Sequence, residues 1–125
     1  MGTYKDLDIW KESMALVRTV YKTSNQLPDT QKYSLVSQMQ RSAISIPSNI
    51  AEGSARHTDK ETIQFLYIAL GSIAELNTQL ILVEDLGYAE TQALQNDCDR
   101  IRKKILNLIK YLRTRPIQKK RPPTK

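Results

Sequence analysis

The segment from Thr62 to Val83 constrains the fold most, because it is long, apolar and almost uncharged. Glu75 is the only charged residue among its 22 positions. On a helical wheel its apolar residues cover an arc of roughly 200°, whereas a helix buried on one side needs only about 100°. They are Phe65, Leu66, Tyr67, Ala69, Leu70, Ile73, Ala74, Leu76, Leu80 and Ile81. The pattern predicts a helix buried on two sides, one covered by the chain's own helices and the other by a second subunit.

A membrane-spanning role for this segment is disfavoured by its polar residues. Gln64, Asn77 and Gln79, together with Glu75, would have to lie in hydrocarbon, where polar groups are costly. The N-terminal sequence MGTYKDLDIW lacks the apolar core of a signal peptide, and Asp6 stands where a myristoylation signal has serine or threonine. We therefore expect a cytoplasmic protein with no membrane partner.

Three further segments show the three-and-four spacing of amphipathic helices. They run from about Asp6 to Asn25, from about Asp29 to Gly53 and from about Glu90 to Leu112. Strand-like alternation is absent, and the connections are short. The sequence therefore predicts an all-α protein, an antiparallel up-down four-helix bundle that oligomerises. The predicted apolar faces contain Leu7, Trp10, Met14, Val17 and Tyr21 in the first segment, Leu35, Val36, Met39 and Ala43 in the second, and Leu94, Cys98, Ile101, Ile105, Leu108 and Leu112 in the fourth.

Local signals mark where the helices begin and end. Asp6 is a candidate N-cap for the first helix. Thr58 and Glu61 have the spacing of a capping box, which predicts the start of the third helix. The tripeptide Leu86-Gly87-Tyr88 has the pattern of a helix stop.

The second helix contains an irregular stretch around Pro47. A proline inside a helix removes one backbone donor and costs roughly 3 kcal/mol, so a kink or a new start is expected near Ile46–Pro47. Gly53 is expected to end the helix as a C′ glycine. Wheel spacing also predicts a stripe of small residues on this helix, formed by Ile44, Ser48, Ala51 and Ala55.

Four polar residues on the second and third helices form a candidate cluster, namely Arg41, Asn49, Glu52 and Glu75. One interpretation is a ligand pocket. The alternative, which we favour, is a set of paired polar groups that fixes helix register or a subunit contact, because buried charges need partners. Arg41 and Glu75 are the candidate ion pair.

The sequence offers little for catalysis. His57 is the only histidine and Cys98 the only cysteine, so a di-iron bundle site, a cysteine metal site and a catalytic triad all lack residues. No glycine-rich phosphate loop is present. We expect no enzymatic activity, no metal and no cofactor.

The charge is distributed unevenly along the chain. Residues 1–112 contain 13 acidic and 13 basic residues, so the net charge of +6 comes entirely from the last 13 residues. We predict a bundle domain over residues 1–113 and a disordered basic tail over residues 114–125. The predicted nucleic-acid-binding residues lie on the fourth helix and in this tail: Arg100, Lys103, Lys104, Lys110, Arg113, Arg115, Lys119, Lys120 and Arg121. The alternative is that these cations only favour the helix C-terminus and solubility.

Several sequence blocks occur in a characteristic order along the chain. They are Tyr4–Leu7 with Trp10 and Lys11, Leu27-Pro28, Gln38–Arg41, SIPSNIAEG at Ser45–Gly53, IALGSIAEL at Ile68–Leu76, and Leu86–Tyr88. Together these blocks resemble one bacterial protein family, the 23S rRNA intervening-sequence proteins. The resemblance covers residues 4 to about 113, with acidic residues in the family pattern where this chain has Gln31 and Asn77. It implies a non-catalytic, homo-pentameric four-helix bundle with a basic surface, similar also to the accessory variability protein of diversity-generating retroelements.

Together these features predict an oligomer that binds structured RNA without strong sequence preference. Several copies of a weak basic surface would make a multivalent polyanion binder. The alternative is an adaptor that docks a reverse transcriptase or another protein.

Overall fold

The computed structural model describes residues 3–116, which form four helices and contain no strand. The helices are α1 (Asp8–Ser24), α2 (Ser37–Ser54), α3 (Asp59–Asp85) and α4 (Gln92–Thr114). Short 3₁₀ turns at Tyr4–Asp6 and Asp29–Gln31 precede α1 and α2, and a π-helical turn at Lys32–Val36 leads into α2. The prediction of an all-α fold with four helices is confirmed.

The four helices enclose one apolar core. Each of α2 and α4 packs against both α1 and α3. Burying a leucine or isoleucine side chain stabilises a fold by about 1.5–3 kcal/mol, so these contacts dominate over the caps and surface charges. Among the residues that are almost completely buried are Leu16, Met39, Ile46, Ile50, Leu66, Ile73, Leu76, Leu80, Ile101 and Ile105.

The buried face of α1 differs from the predicted one. Ile9, Ser13, Leu16 and Val20 face the core, whereas the predicted face of Leu7, Trp10, Met14, Val17 and Tyr21 is only partly buried or exposed. Ser13 is compatible with burial because its hydroxyl donates to the Ile9 carbonyl of the same helix. The helical wheel placed the buried face of α1 about one residue away from its observed position, because it treated Ser13 as a surface residue.

Helix α2 runs through Pro47 without interruption, so the predicted new start at this residue is wrong. The proline ring is buried, and the flanking Ile46 and Ile50 lie in the core. Side-chain donors add bonds around the site: Ser48 donates to the Ile44 carbonyl at 2.8 Å and Asn49 to the Ser45 carbonyl at 2.8 Å. Burial of this helix face outweighs the one lost backbone bond. The predicted kink stays a prediction.

Gly53 is not a helix terminator, because α2 continues to Ser54. A Cβ atom at Gly53 would lie 2.9 Å from the Phe65 Cβ and 3.2 Å from the Thr62 carbonyl oxygen. The Thr62 hydroxyl donates to the Gly53 carbonyl at 2.8 Å. The glycine therefore allows the backbone of α2 to approach α3 closely, which sequence spacing did not predict.

Two of the three terminal signals are confirmed. Thr58 caps α3 by accepting the Glu61 backbone N–H at 3.2 Å. Gly87 has a φ of 78°, the left-handed conformation expected of a glycine stop after α3. Asp6 is not the cap of α1. It accepts the Thr3 backbone N–H at 3.0 Å within the preceding 3₁₀ turn.

Helix α3 has an outer face with large apolar residues that residues 3–116 leave largely uncovered. Tyr67, Ile68, Ile81 and Leu82 are exposed there, and Ile68 retains 51% of its accessible surface. By length and composition α3 could also cross a membrane. The core helix of a soluble bundle meets the same criterion, and the opposite face of α3 is buried against α2 and α4.

Candidate nucleic-acid interface

The middle of α4 is a network of ion pairs. Arg100 donates to Glu12 of α1 at 2.7 Å and to Asp97 at 2.9 Å, and Lys104 contacts the second oxygen of Glu12. The hydrogen bonds from Lys104, and then from Arg100, hold the pKa of the Glu12 carboxyl below its usual value. These contacts tie α4 to α1.

A second group of ion pairs lies on the outer side of the same helix. Asp99 accepts from Arg102 at 2.8 Å and pairs with Lys103 at 3.0 Å, and these hydrogen bonds, first Arg102 and then Lys103, lower its pKa. Four cations and three carboxylates therefore leave one positive charge in this region. The predicted binding residues Arg100, Lys103 and Lys104 thus already have protein partners.

The end of α4 contacts the start of α3. Arg115 donates from two nitrogens to the two carboxylate oxygens of Asp59, each at 2.6 Å. The side chains of this pair are 22% and 15% exposed. Hydrogen bonds to Asp59, and then to Tyr111, raise the pKa of the Arg115 guanidinium further above its usual value. The geometry is the bidentate one in which arginine binds carboxylates most specifically.

Two arginines near this contact lie over tyrosine rings. The Arg113 guanidinium is 5.4 Å from the Tyr67 centroid, and that of Arg115 is 5.5 Å from the Tyr111 centroid. Both distances fit a cation–π contact. The tyrosines remain open to solvent, with 44% of Tyr67 and 57% of Tyr111 exposed.

We call Lys60, Lys110, Arg113 and Arg115 the basic end of the molecule. Within residues 3–116 the first three have no carboxylate partner within ion-pair distance. Asp59 and Glu61 supply two negative charges, so two positive charges remain. The chain continues from here into Lys119, Lys120 and Arg121, which lie outside the described residues, as does most of the predicted tail. Helix α4 itself extends to Thr114, one residue past the predicted domain boundary.

Sequence reasoning placed Lys110, Arg113 and Arg115 in the candidate site but missed Lys60. It also missed Asp59 as the carboxylate that holds Arg115. The predicted order of helices contained a signal for both, since an up-down bundle brings the end of its fourth helix near the start of its third. Arg56, in the α2–α3 connection, pairs with Glu52 and lies 4.7 Å from the Phe65 ring centroid.

The predicted polar cluster is not a single cluster. Arg41 and Glu75 line the same cleft of about 380 Å³ between α2 and α3 but form no direct ion pair. Glu52 pairs instead with Arg56. Asn49 bonds to Ser45 of its own helix.

Ser45 connects the two helices at the edge of this cleft. The Ser72 hydroxyl of α3 donates to the Ser45 oxygen at 2.7 Å, and the Asn49 amide donates to the same oxygen at 3.0 Å. The amide oxygen of Gln79 also lines the cleft region and has no hydrogen-bond partner among the described residues. The cleft is polar, and its charged members remain exposed.

Cys98 is buried in the α4 seam, as expected of a packing residue. Burial, and then the Asp97 charge, raise the pKa of its thiol to about 12. A thiol with such a pKa is a poor nucleophile at neutral pH, because the thiolate is the reactive form. Residues 3–116 contain no group of three His, Cys, Asp or Glu side chains placed to hold a metal ion.

Comparison with known proteins identifies the family of this bundle. The sequence profile of the 23S rRNA-intervening sequence proteins matches residues 5–107, which include α1 to α3 and most of α4. The chain belongs to this family. The predicted resemblance is thereby confirmed.

A solved structure shows the same fold. It is a protein with unknown function from the S23 ribosomal protein family of Bacteroides thetaiotaomicron VPI-5482, known from a crystal structure. The two chains are 25% identical and superpose with a TM-score of 0.76, over 82% of this chain and 98% of the other. No curated protein matches the sequence.

Proposed function

We propose that this 23S rRNA-intervening sequence protein is a non-catalytic, cytoplasmic oligomer that binds RNA through its basic end. The observation that carries the proposal is a set of three cations at this end, Lys60, Lys110 and Arg113, that have no carboxylate partner among residues 3–116. The sequence that follows Arg115 contains four more cations, in the basic tail. Phosphate contacts of this kind supply affinity with little sequence preference.

The oligomer is supported by two different apolar surfaces on one chain. The outer face of α3 is the first. The second is a groove between α1 and α2 with a volume of about 330 Å³, lined by Tyr4, Trp10, Met14, Val17, Ile44, Pro47, Ser48 and Ala51. This groove combines residues of the predicted apolar face of α1 with residues of the predicted small-residue stripe of α2, and residues 3–116 cover these two sets only in part.

We propose that the outer face of α3 in one subunit packs into the α1–α2 groove of the next. Contacts between two different surfaces form rings when the rotation closes. A pentamer is the number that the family resemblance implies. Within each subunit we propose the antiparallel up-down order, supported by the Asp59–Arg115 contact between the start of α3 and the end of α4.

A salt titration of RNA affinity tests the binding surface. The variant Lys110→Ala/Arg113→Ala removes two unpaired cations, and the control Arg102→Ala/Lys103→Ala removes two cations of the same helix that pair with Asp99. Each phosphate contact contributes a slope of about 0.7–0.9 to the plot of log affinity against log salt. We expect the first variant to flatten the slope by about 1.5 and the control to change it little.

The remaining outcomes are also decisive. A variant with Lys119, Lys120 and Arg121 changed to alanine should flatten the slope further if the tail contributes. Equal effects of both α4 variants would place the contacts along the whole helix instead. If the wild-type protein does not bind RNA at low salt, the proposal fails, and the alternative of an adaptor for a reverse transcriptase or another protein becomes the better one.

A further inference from the structure

We infer that the basic end recognises unpaired nucleotides of RNA, with Tyr111 as the surface on which a base stacks. The inference rests on the proposed RNA binding and specifies its substrate class. It starts from two exposed tyrosines that lie beside arginines of this end: Tyr67 lies beside Arg113, and Tyr111 lies beside Arg115, which pairs with Asp59. Exposed aromatic rings next to phosphate-binding cations are the two elements from which single-stranded binding sites are built.

The orientation of Tyr111 is supported by a chain of contacts. The Arg115 guanidinium lies over the ring, 5.5 Å from its centroid. Arg115 is in turn held by two hydrogen bonds to Asp59 on another helix, each 2.6 Å long. Because Arg115 cannot rotate freely, it restricts the ring that it covers. An ordered ring loses less conformational entropy on binding than a mobile one.

Tyr111 is not explained by core packing. It is 57% exposed, whereas Tyr88 is partly buried and packs against the core. With one side of the Tyr111 ring near the guanidinium, the exposed side is available to a base. Lys110 is the preceding residue on α4, where it can contact the phosphate that flanks this base.

This arrangement favours single strands over duplexes. In an A-form duplex the faces of the bases are stacked on one another and cannot reach a protein ring, so a duplex can use only the cations. Stacking of one base on an aromatic side chain strengthens binding by about 5-fold to 150-fold. A single strand therefore gains affinity from Tyr111 that a duplex of the same charge does not.

Fluorescence anisotropy of the full-length protein with a labelled 12-nucleotide single strand and a duplex of equal phosphate number tests this inference. The variant Tyr111→Leu removes the aromatic ring, and Tyr111→Phe keeps it. Tyr33→Leu is the matched control, because Tyr33 is 88% exposed and also lies beside a cation, Lys32, but belongs to the turn that leads into α2 and not to the basic end.

We expect the single strand to bind more tightly than the duplex at the same salt concentration. Tyr111→Leu should weaken single-strand binding about tenfold, as one lost stack of about 1.4 kcal/mol requires, without changing duplex affinity or the salt slope. Tyr111→Phe and Tyr33→Leu should bind like the wild type. Circular dichroism of each variant verifies that the helices are retained.

Two results would overturn the inference, and they differ in what they leave standing. If single strand and duplex bind equally and Tyr111→Leu changes neither, the stacking role is wrong while RNA binding by the cations survives. If neither RNA binds even at low salt, the proposed function fails together with the inference.

Discussion

Gly53 shows how a single residue determines the distance between two helices. Its missing side chain lets the Thr62 hydroxyl reach the Gly53 carbonyl, a contact between residues nine positions apart that joins α2 to α3. A glycine inside a helix normally destabilises it by about 0.5–1 kcal/mol relative to alanine. Here the close approach of the two helices compensates for that cost.

We predict that Gly53→Ala destabilises the protein. The new Cβ would lie 2.9 Å from the Phe65 Cβ, so the helices must separate, and such overpacking costs about 1–3 kcal/mol. Gly71→Ala is the control, because, apart from its chain neighbours and the backbone of its own helix, no atom of residues 3–116 of the same chain lies within 4 Å of a Cβ at that position. Urea unfolding at one protein concentration should show a lower midpoint for the first variant and an unchanged or higher one for the second. Equal midpoints for the two variants would contradict the close-approach role of Gly53.

At the level of secondary-structure elements, the contact between α1 and α4 combines an apolar seam with one shared carboxylate. The Glu12 carboxylate accepts hydrogen bonds from both Arg100 and Lys104, which follow it in the sequence by 88 and 92 residues. Because this pair network lies near the surface, its contribution is modest, about 1 kcal/mol or less. The contact nevertheless places the negative charge of Glu12 beside Arg100 and Lys104, which lowers the net positive charge of the α4 surface.

The lowered pKa of Glu12 predicts a pH-dependent stability. A carboxyl group whose pKa is lower in the folded than in the unfolded state stabilises the fold above its unfolded pKa of about 4.3, and this contribution is lost as the pH falls through the folded value. Glu12→Gln should therefore lower the free energy of unfolding at pH 7 by up to about 1 kcal/mol. The difference from the wild type should disappear in strong acid.

Thermal unfolding monitored by circular dichroism, from pH 7 to strong acid, measures the difference in stability between Glu12→Gln and the wild type. Glu90→Gln serves as the control, since Glu90 is exposed and has no ion-pair partner among residues 3–116. A Glu12→Gln difference that stays constant from pH 7 to strong acid would show that the ion pairs do not cause it.

For the whole molecule, the central question is what covers the outer face of α3. A monomer would leave Ile68 in the first half of α3, and Ile81 and Leu82 near its end, exposed to water. Exposed apolar patches of this kind mark interaction sites in soluble proteins. The α1–α2 groove offers an apolar surface of the right character on the same chain, which favours self-association over a foreign partner.

We predict that Ile68→Glu prevents the proposed assembly and gives a 14.3 kDa monomer that remains helical. Because Ile68 is half exposed in the single chain, the substitution should change the stability of the monomer itself by no more than about 0.5 kcal/mol. Leu106→Glu is the control, since Leu106 is an exposed apolar residue on α4, outside both proposed contact surfaces. Light scattering coupled to size exclusion at micromolar concentration distinguishes the species. A wild-type protein that is already monomeric there would refute the assembly.

The sequence by itself determined the features that depend on neighbouring residues. Four helical segments followed from apolar periodicity, and the Thr58 cap and the Gly87 stop followed from local hydrogen-bonding patterns. The two-sided apolar character of α3 was likewise visible, because it needs only the wheel of one helix. Family membership also followed from short sequence blocks.

Only the tertiary structure decided the features that depend on contacts between distant residues. Burial of α2 keeps the helix continuous through Pro47, and the approach of α3 explains Gly53. The pairing of Arg100 and Lys104 with Glu12 changes the basic face of α4 in a way that a wheel of α4 alone cannot show. Periodicity reports which residues share one side of a helix, but the partner that each side meets is set by packing of the whole chain.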